Sequence, residues 1–161
     1  MVETTEHIIN NSIESDYSKS ISLEHRKRFA QFFTPFSIAN AMAKWILGNK
    51  QLKTVLEPAF GLGVFSRAIL SQNKEINIKG FEVDETIFGN AKEYYDDFEN
   101  VNLHLQDYMY NDWKNKYDGI ICNPPYFKFH DYDNKNILKE NYVFSCEDLL
   151  QIKKIGFDFK Y

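Results

Sequence analysis

The chain has 161 residues, 43% hydrophobic and 16% aromatic, which is enough apolar material for the core of one ordinary domain and excludes a disordered tail. Residues 1–20 are polar, with no apolar run of signal or membrane-span length, so a soluble, cytoplasmic protein without membrane insertion is expected. The net charge of -4 argues against a strong DNA-binding surface on this chain alone, because Lys and Arg against phosphate supply most sequence-independent affinity.

In chain order, residues 1–21 read as a polar arm, followed by helices over 22–30 and 36–47. Arg26, Lys27 and Arg28 read as the solvated face of the first helix. Thr34 fits an N-cap, Pro35 the first helical position, and Gly48 the end of the second helix. The run over 55–65 is a short apolar strand, ending at Glu57, that opens through Gly61 and Gly63 into a helix over 64–70. Glycines remove side chains where backbone must approach a cofactor, and the helix start offers free N–H groups. A G-x-G pair alone is equally an ordinary turn.

Residues 76–84 alternate as a strand whose Glu82 lies about 20 residues beyond the glycines, placed to accept both hydroxyls of a ribose. Asp84 or Glu85 reads as a solvated loop acid that caps a helix over 85–98. A third strand, 101–107, ends in Asp107, a carboxylate able to accept from an adenine amino group or to serve the turn.

A fourth strand, 117–122, runs into Asn123, Pro124, Pro125 and Tyr126. Two prolines fix their own φ and push the preceding residue out of the α region, so Asn123 is aimed. An exocyclic amine on an aromatic ring is a poor nucleophile. The Asn123 side-chain oxygen and the Pro124 carbonyl would accept its two N–H groups and draw it towards tetrahedral geometry. Tyr126 would stack on the ring, as enzymes do with a base taken out of its stack. Asn-Pro also begins ordinary turns, and what favours the clamp is the upstream order of strand ends at Glu57, Glu82, Asp107 and Asn123. Cys122 and Cys146 lack metal spacing and read as reduced thiols, no metal site is expected, and His7, His25, His104 and His130 carry no catalytic pattern.

These motifs resemble those of the N6-adenine DNA methyltransferases of restriction-modification systems, in the class whose cofactor motifs precede the catalytic one. Glu57-Pro58-Ala59-Phe60-Gly61-Leu62-Gly63 is similar to the glycine loop of that family, Asn123 to Tyr126 to its catalytic signature, and 28–35 to its N-terminal segment. The resemblance implies S-adenosylmethionine as cofactor and DNA as partner. It places Thr34 and Pro35 at the methionine end, with Glu57, Pro58, Ala59, Phe60, Gly61 and Gly63 around it. It gives the ribose to Glu82 and Val83, the cofactor adenine to Asp107 and Tyr108, and the target base to Asn123, Pro124, Pro125 and Tyr126. Phe127 and Phe129 either pad the target pocket or pack in the core.

Alternating strands and helices predict an α/β, Rossmann-like methyltransferase fold: a parallel twisted sheet with helices on both faces, incomplete at about four strands, with an N-terminal helical segment. The expected divisions are an arm over 1–21, a segment over 22–48 closing on the cofactor, a cofactor-binding and catalytic core over 49–130, and a tail over 131–161. The tail carries a weak helix over 147–155, and its aromatic stretch from Phe144 to Tyr161 would cover the edge of the last strand. A full member of the family would add about three strands and a target-recognition domain. A second polypeptide supplying them is therefore expected. Competing expectations are methylation of a protein glutamine or an RNA adenine, which the same clamp fits, and a non-catalytic truncated remnant.

Overall fold

A computed structural model describes residues 13–28, 32–108 and 115–124, without the side chains of 27 and 28. Four parallel strands form one sheet in the order β3-β2-β1-β4: β1 is Thr54–Glu57, β2 Asn77–Glu82, β3 Val101–Leu105 and β4 Gly119–Ile120. Five helices accompany them among the described residues: α1 (Ile13–Ser20), α2 (Leu23–Arg28), α3 (Phe36–Ile46), α4 (Val64–Leu70) and α5 (Glu85–Tyr95). None is long and apolar enough to cross a membrane.

β1 lies between β2 and β4, and its last three residues are buried, as expected for a central parallel strand. Val55 pairs with Ile78 in β2 and with Gly119 in β4. The chain steps outward from β1 to β2 to β3 and then returns to the other side of β1. That reversal puts the topological switch point between β1 and β4, the place where open α/β sheets bind ligands outside the strand ends. β4 is shorter than the strand expected over 117–122, although Asp118 N–H to Thr54 O and Ile121 N–H to Leu56 O, both 3.0 Å, prolong its pairing. Asp118 Oδ2 also accepts from the N–H groups of Lys53 and Thr54 and from the Thr54 hydroxyl at 2.9 to 3.0 Å, which pins the start of β4 to the start of β1.

α3 buries Ala39, Ala43 and Ile46, spaced i, i+4, i+7, and packs on α4. All seven residues of α4 are buried, so its two polar members need internal partners. Arg67 donates to Leu62 O at 2.9 Å and pairs with Glu14 of α1, while Ser66 donates to Glu57. Residues 13–20, expected within a polar arm, are thus a helix tied to the core by a buried ion pair, with Tyr17 packed beside Leu62 and Ile87. Helices α3, α4 and α5 share one apolar cluster with Val55, Ile78 and Ile121, so they cover one face of the sheet. Leu56, Phe81, His104 and Ile120 alternate to the other face. The expected helix over 147–155, the edge-covering stretch and Cys146 also lie outside the described residues.

Candidate active site

Glu57 ends β1 with 1% of its surface exposed. Its Oε2 accepts from the Ser66 hydroxyl at 2.5 Å, whereas the buried Oε1 has no partner among the described residues. Burial pushes this carboxyl up to about 8, against the Ser66 hydrogen bond and the Arg67 charge, which lower it, and with Glu82 adding to the rise. Glu57 therefore holds a proton at neutral pH unless a cation meets it. An unpaired buried polar atom is rare, and its place at the end of β1 beside the switch point marks it for a ligand.

The two glycines of the following loop both have positive φ, +56° at Gly61 and +73° at Gly63, but for different reasons. A Cβ at Gly63 would lie 2.6 Å from the Phe60 ring and from the Tyr95 hydroxyl. A Cβ at Gly61 would meet nothing within 4 Å. Gly63 is thus required by packing, whereas Gly61 faces open space among the described residues. Phe60, 3% exposed, holds the loop from beneath: its ring packs edge-on to Tyr95 at 5.3 Å and occupies the space a Cβ at Gly80 would need. Both of its backbone groups are committed, to Phe81 O and to Gly63 N–H at 2.8 Å each. Pro58 and Ala59 are half-buried in the same loop.

Glu82 bridges the first two strand ends. Oε2 accepts from Gly61 N–H at 2.8 Å, and Oε1 from the N–H groups of Val83 and Asp84 at 2.9 and 3.0 Å. Three of about four lone-pair positions are filled, leaving room for one further donor where two ribose hydroxyls were expected. Burial raises the Glu82 carboxyl while these backbone bonds hold it down. Val83 beside it is exposed.

Asp84 departs from the solvated loop acid expected from sequence: it is 2% exposed. It does cap α5, accepting from Thr86 N–H at 2.9 Å, but α2 folds over it and brings His25 Nε2 to 2.6 Å. Beyond β3, Asp107 and Tyr108 are half-buried, and the Tyr108 ring stands edge-on to Phe81 at 5.1 Å, where burial raises its phenol.

Asn123 follows β4 and donates from Nδ2 to Thr34 Oγ1 at 3.0 Å, across 89 residues of sequence. Thr34 is not the N-cap of α3. Pro35 takes that position with an extended ψ of 137°, its carbonyl accepts from Ile38 and Ala39 N–H at 3.0 and 3.1 Å, and no side chain among the described residues caps the helix. One residue of offset leaves the Thr34 hydroxyl to reach the strand end instead. Thr34 and Pro35 also border a cleft of about 580 Å³ with Glu14, Phe33 and Phe36, which the glycine loop does not line. Pro124 is exposed, while Pro125, Tyr126, Phe127 and Phe129 lie outside the described residues.

Glu57, Gly61 and Glu82 are thus gathered at adjoining strand ends, and Asn123 leaves β4 beside β1 with its amide held by Thr34. Ser66 and His25 belong to the supporting structure yet carried no sequence signal beyond one hydroxyl in an apolar helix and one scattered histidine.

The family model for the methyltransferase small domain matches residues 40–151. Type II methyltransferase M.AccI of Acinetobacter calcoaceticus is 84% identical over 157 residues, 98% of this chain and 28% of that protein. Type II methyltransferase M.HincII of Haemophilus influenzae is 31% identical over 88% of this chain and 28% of its own length. The chain spans little more than a quarter of these curated relatives. A solved structure, human methyltransferase 10 domain containing protein, superposes with a TM-score of 0.51 at 13% identity, covering 81% of this chain and 79% of that one, and supports the fold alone.

Proposed function

The chain belongs to the methyltransferase small domain family, and from that premise we propose that it is the cofactor-binding and catalytic part of an S-adenosylmethionine-dependent DNA adenine-N6 methyltransferase of a type II restriction-modification system. The observation that carries the reading is the buried Glu57 Oε1, without a partner among the described residues, at the strand end that leads into the open loop at Gly61, a site suited to a ligand with a cationic group. The residues present fit the cofactor. Glu57 would face its ammonium, Gly61 would let its body approach the loop, and Glu82 would take a ribose hydroxyl through Oε2. Asp107 and Tyr108 would lie towards its adenine.

When bound, S-adenosylmethionine supplies an activated methyl group. The chain's own contribution is to hold the target amine. Asn123 Oδ1 and the Pro124 carbonyl would accept its two N–H groups, and Tyr126 would stack on the base. A flipped base needs no strong general base at this site, because proton loss follows methyl transfer from an already positively charged amine. A restriction-modification role, in place of modification of a protein glutamine, is favoured by the relatives named as type II methyltransferases at 84% and 31% identity, and the adenine ring by the planar-amine clamp that Asn123 to Tyr126 would form. In this reading the protein works in the cytoplasm, and the surface that reads DNA sequence comes from residues outside the described sheet or from a second polypeptide.

The test is incubation with methyl-labelled S-adenosylmethionine and unmethylated DNA, followed by nucleoside analysis, alone and with the remaining length of the relatives supplied in trans. N6-methyladenine is the expected product. Label in N4-methylcytosine, in RNA or in protein only, or no transfer under either condition, contradicts the proposal.

A further inference from the structure

We propose that Thr34 is a positioning residue for Asn123, holding the donor edge of its amide so that the acceptor edge is turned towards the reacting amine. The inference rests on the function proposed above and goes beyond it, because the family resemblance gives Thr34 to the cofactor instead. Three observations carry it. Asn123 Nδ2 lies 3.0 Å from Thr34 Oγ1, a hydrogen-bonding distance that commits the NH2 side of the amide. Thr34 is itself held from both sides: Pro35 caps α3 with its carbonyl, and the ring of Phe33 stands edge-on to Tyr17 of α1 at 5.7 Å. Asn123 is held in turn by the pairing of β4 to β1, through Ile121 N–H to Leu56 O at 3.0 Å, and by the proline that follows it.

The chemistry requires such a lock. An asparagine amide has one accepting and one donating edge, and only the accepting edge can draw an aromatic amine towards tetrahedral geometry. A flipped amide would set NH2 against NH2. Rotation about the last side-chain bond of asparagine is soft, so the orientation has to be imposed from outside the residue. A threonine hydroxyl can accept from the NH2 edge or donate to the oxygen, and in this structure it accepts from Asn123 Nδ2, which holds the amide in the productive orientation and ties the segment before α3 to the strand end after β4.

The test follows the side-chain amide of Asn123 by NMR on asparagine-labelled protein, its signals identified by their loss in Asn123→Asp. In Thr34→Val these signals should shift and their hydrogen exchange should quicken about five- to tenfold, the equivalent of one ordinary hydrogen bond. Thr34→Ser should restore both. Cofactor affinity by calorimetry should stay within about twofold in Thr34→Val, with any methyl-transfer rate falling by about the same factor as the exchange protection. Unmoved Asn123 signals in Thr34→Val overturn the inference, and so does a loss of cofactor affinity with those signals intact, which would return Thr34 to the cofactor. A wild-type chain that transfers no methyl group counts against the proposed function, while the amide signals still decide this one.

Discussion

Glu57 and the two loop glycines separate what holds the site from what it is for. Gly63→Ala forces an alanine into the left-handed region and into the Phe60 ring and Tyr95 hydroxyl, which should cost about 2 to 5 kcal/mol in chemical denaturation. Gly61→Ala meets only the backbone penalty of about 1 to 2 kcal/mol, since nothing stands within 4 Å of the new methyl. Its methyl group instead stands in the open space where the cofactor is proposed to lie, so its main effect should fall on cofactor affinity. Glu57 sets a pH dependence of unusual sign. Its carboxyl is raised to about 8 by burial, so between its ordinary 4.5 and 8 the folded chain keeps a proton that the unfolded chain releases. Its contribution to stability is therefore full below 4.5 and is lost as pH rises through 8. Denaturation midpoints measured from pH 5 to 8 should fall, and Glu57→Gln should flatten that fall. An identical slope in the variant would show that Glu57 is not the group responsible.

At the level of elements, the repeating units were legible because their signals are local. The helix over 64–70 and the start of α5 at Glu85 fall where periodicity and capping place them. Glu82 ends its strand as the alternating pattern predicts, and Asn123 follows shortly after β4. What was not legible depends on contacts across long separations. α1 carries a weak apolar pattern and is fixed by Glu14 reaching Arg67, 53 residues away. Asp84 resembled a solvated acid because nothing near it in sequence announces His25. Thr34 satisfied every local rule for an N-cap and was taken by Asn123 instead. The Glu14–Arg67 pair gives an element-level prediction. Arg67 is 1% exposed, so Glu14→Ala leaves an uncompensated buried cation and should destabilise by about 3 to 5 kcal/mol. Glu14→Leu combined with Arg67→Met should recover most of that loss in the same denaturation assay. An additive double variant would mean that the two side chains act independently.

For the molecule as a whole, sheet order matters more than any single motif. The sequence β3-β2-β1-β4 creates one reversal of direction, and Glu57, Glu82 and Asn123 all lie at the strand ends around it. N-terminal helices are bound into the same arrangement by three ties of different chemistry: the Glu14–Arg67 ion pair, the His25–Asp84 contact and the Thr34–Asn123 hydrogen bond. The N-terminal region thereby supports the strand ends of the candidate site. Binding of S-adenosylmethionine at these strand ends is put to the test by calorimetric titration of the wild-type chain and of folded Gly61→Ala. Saturable one-to-one binding in the wild type, weakened at least tenfold in Gly61→Ala, is the predicted result. Binding that is absent from a folded wild-type chain, or equally strong in both, would contradict it.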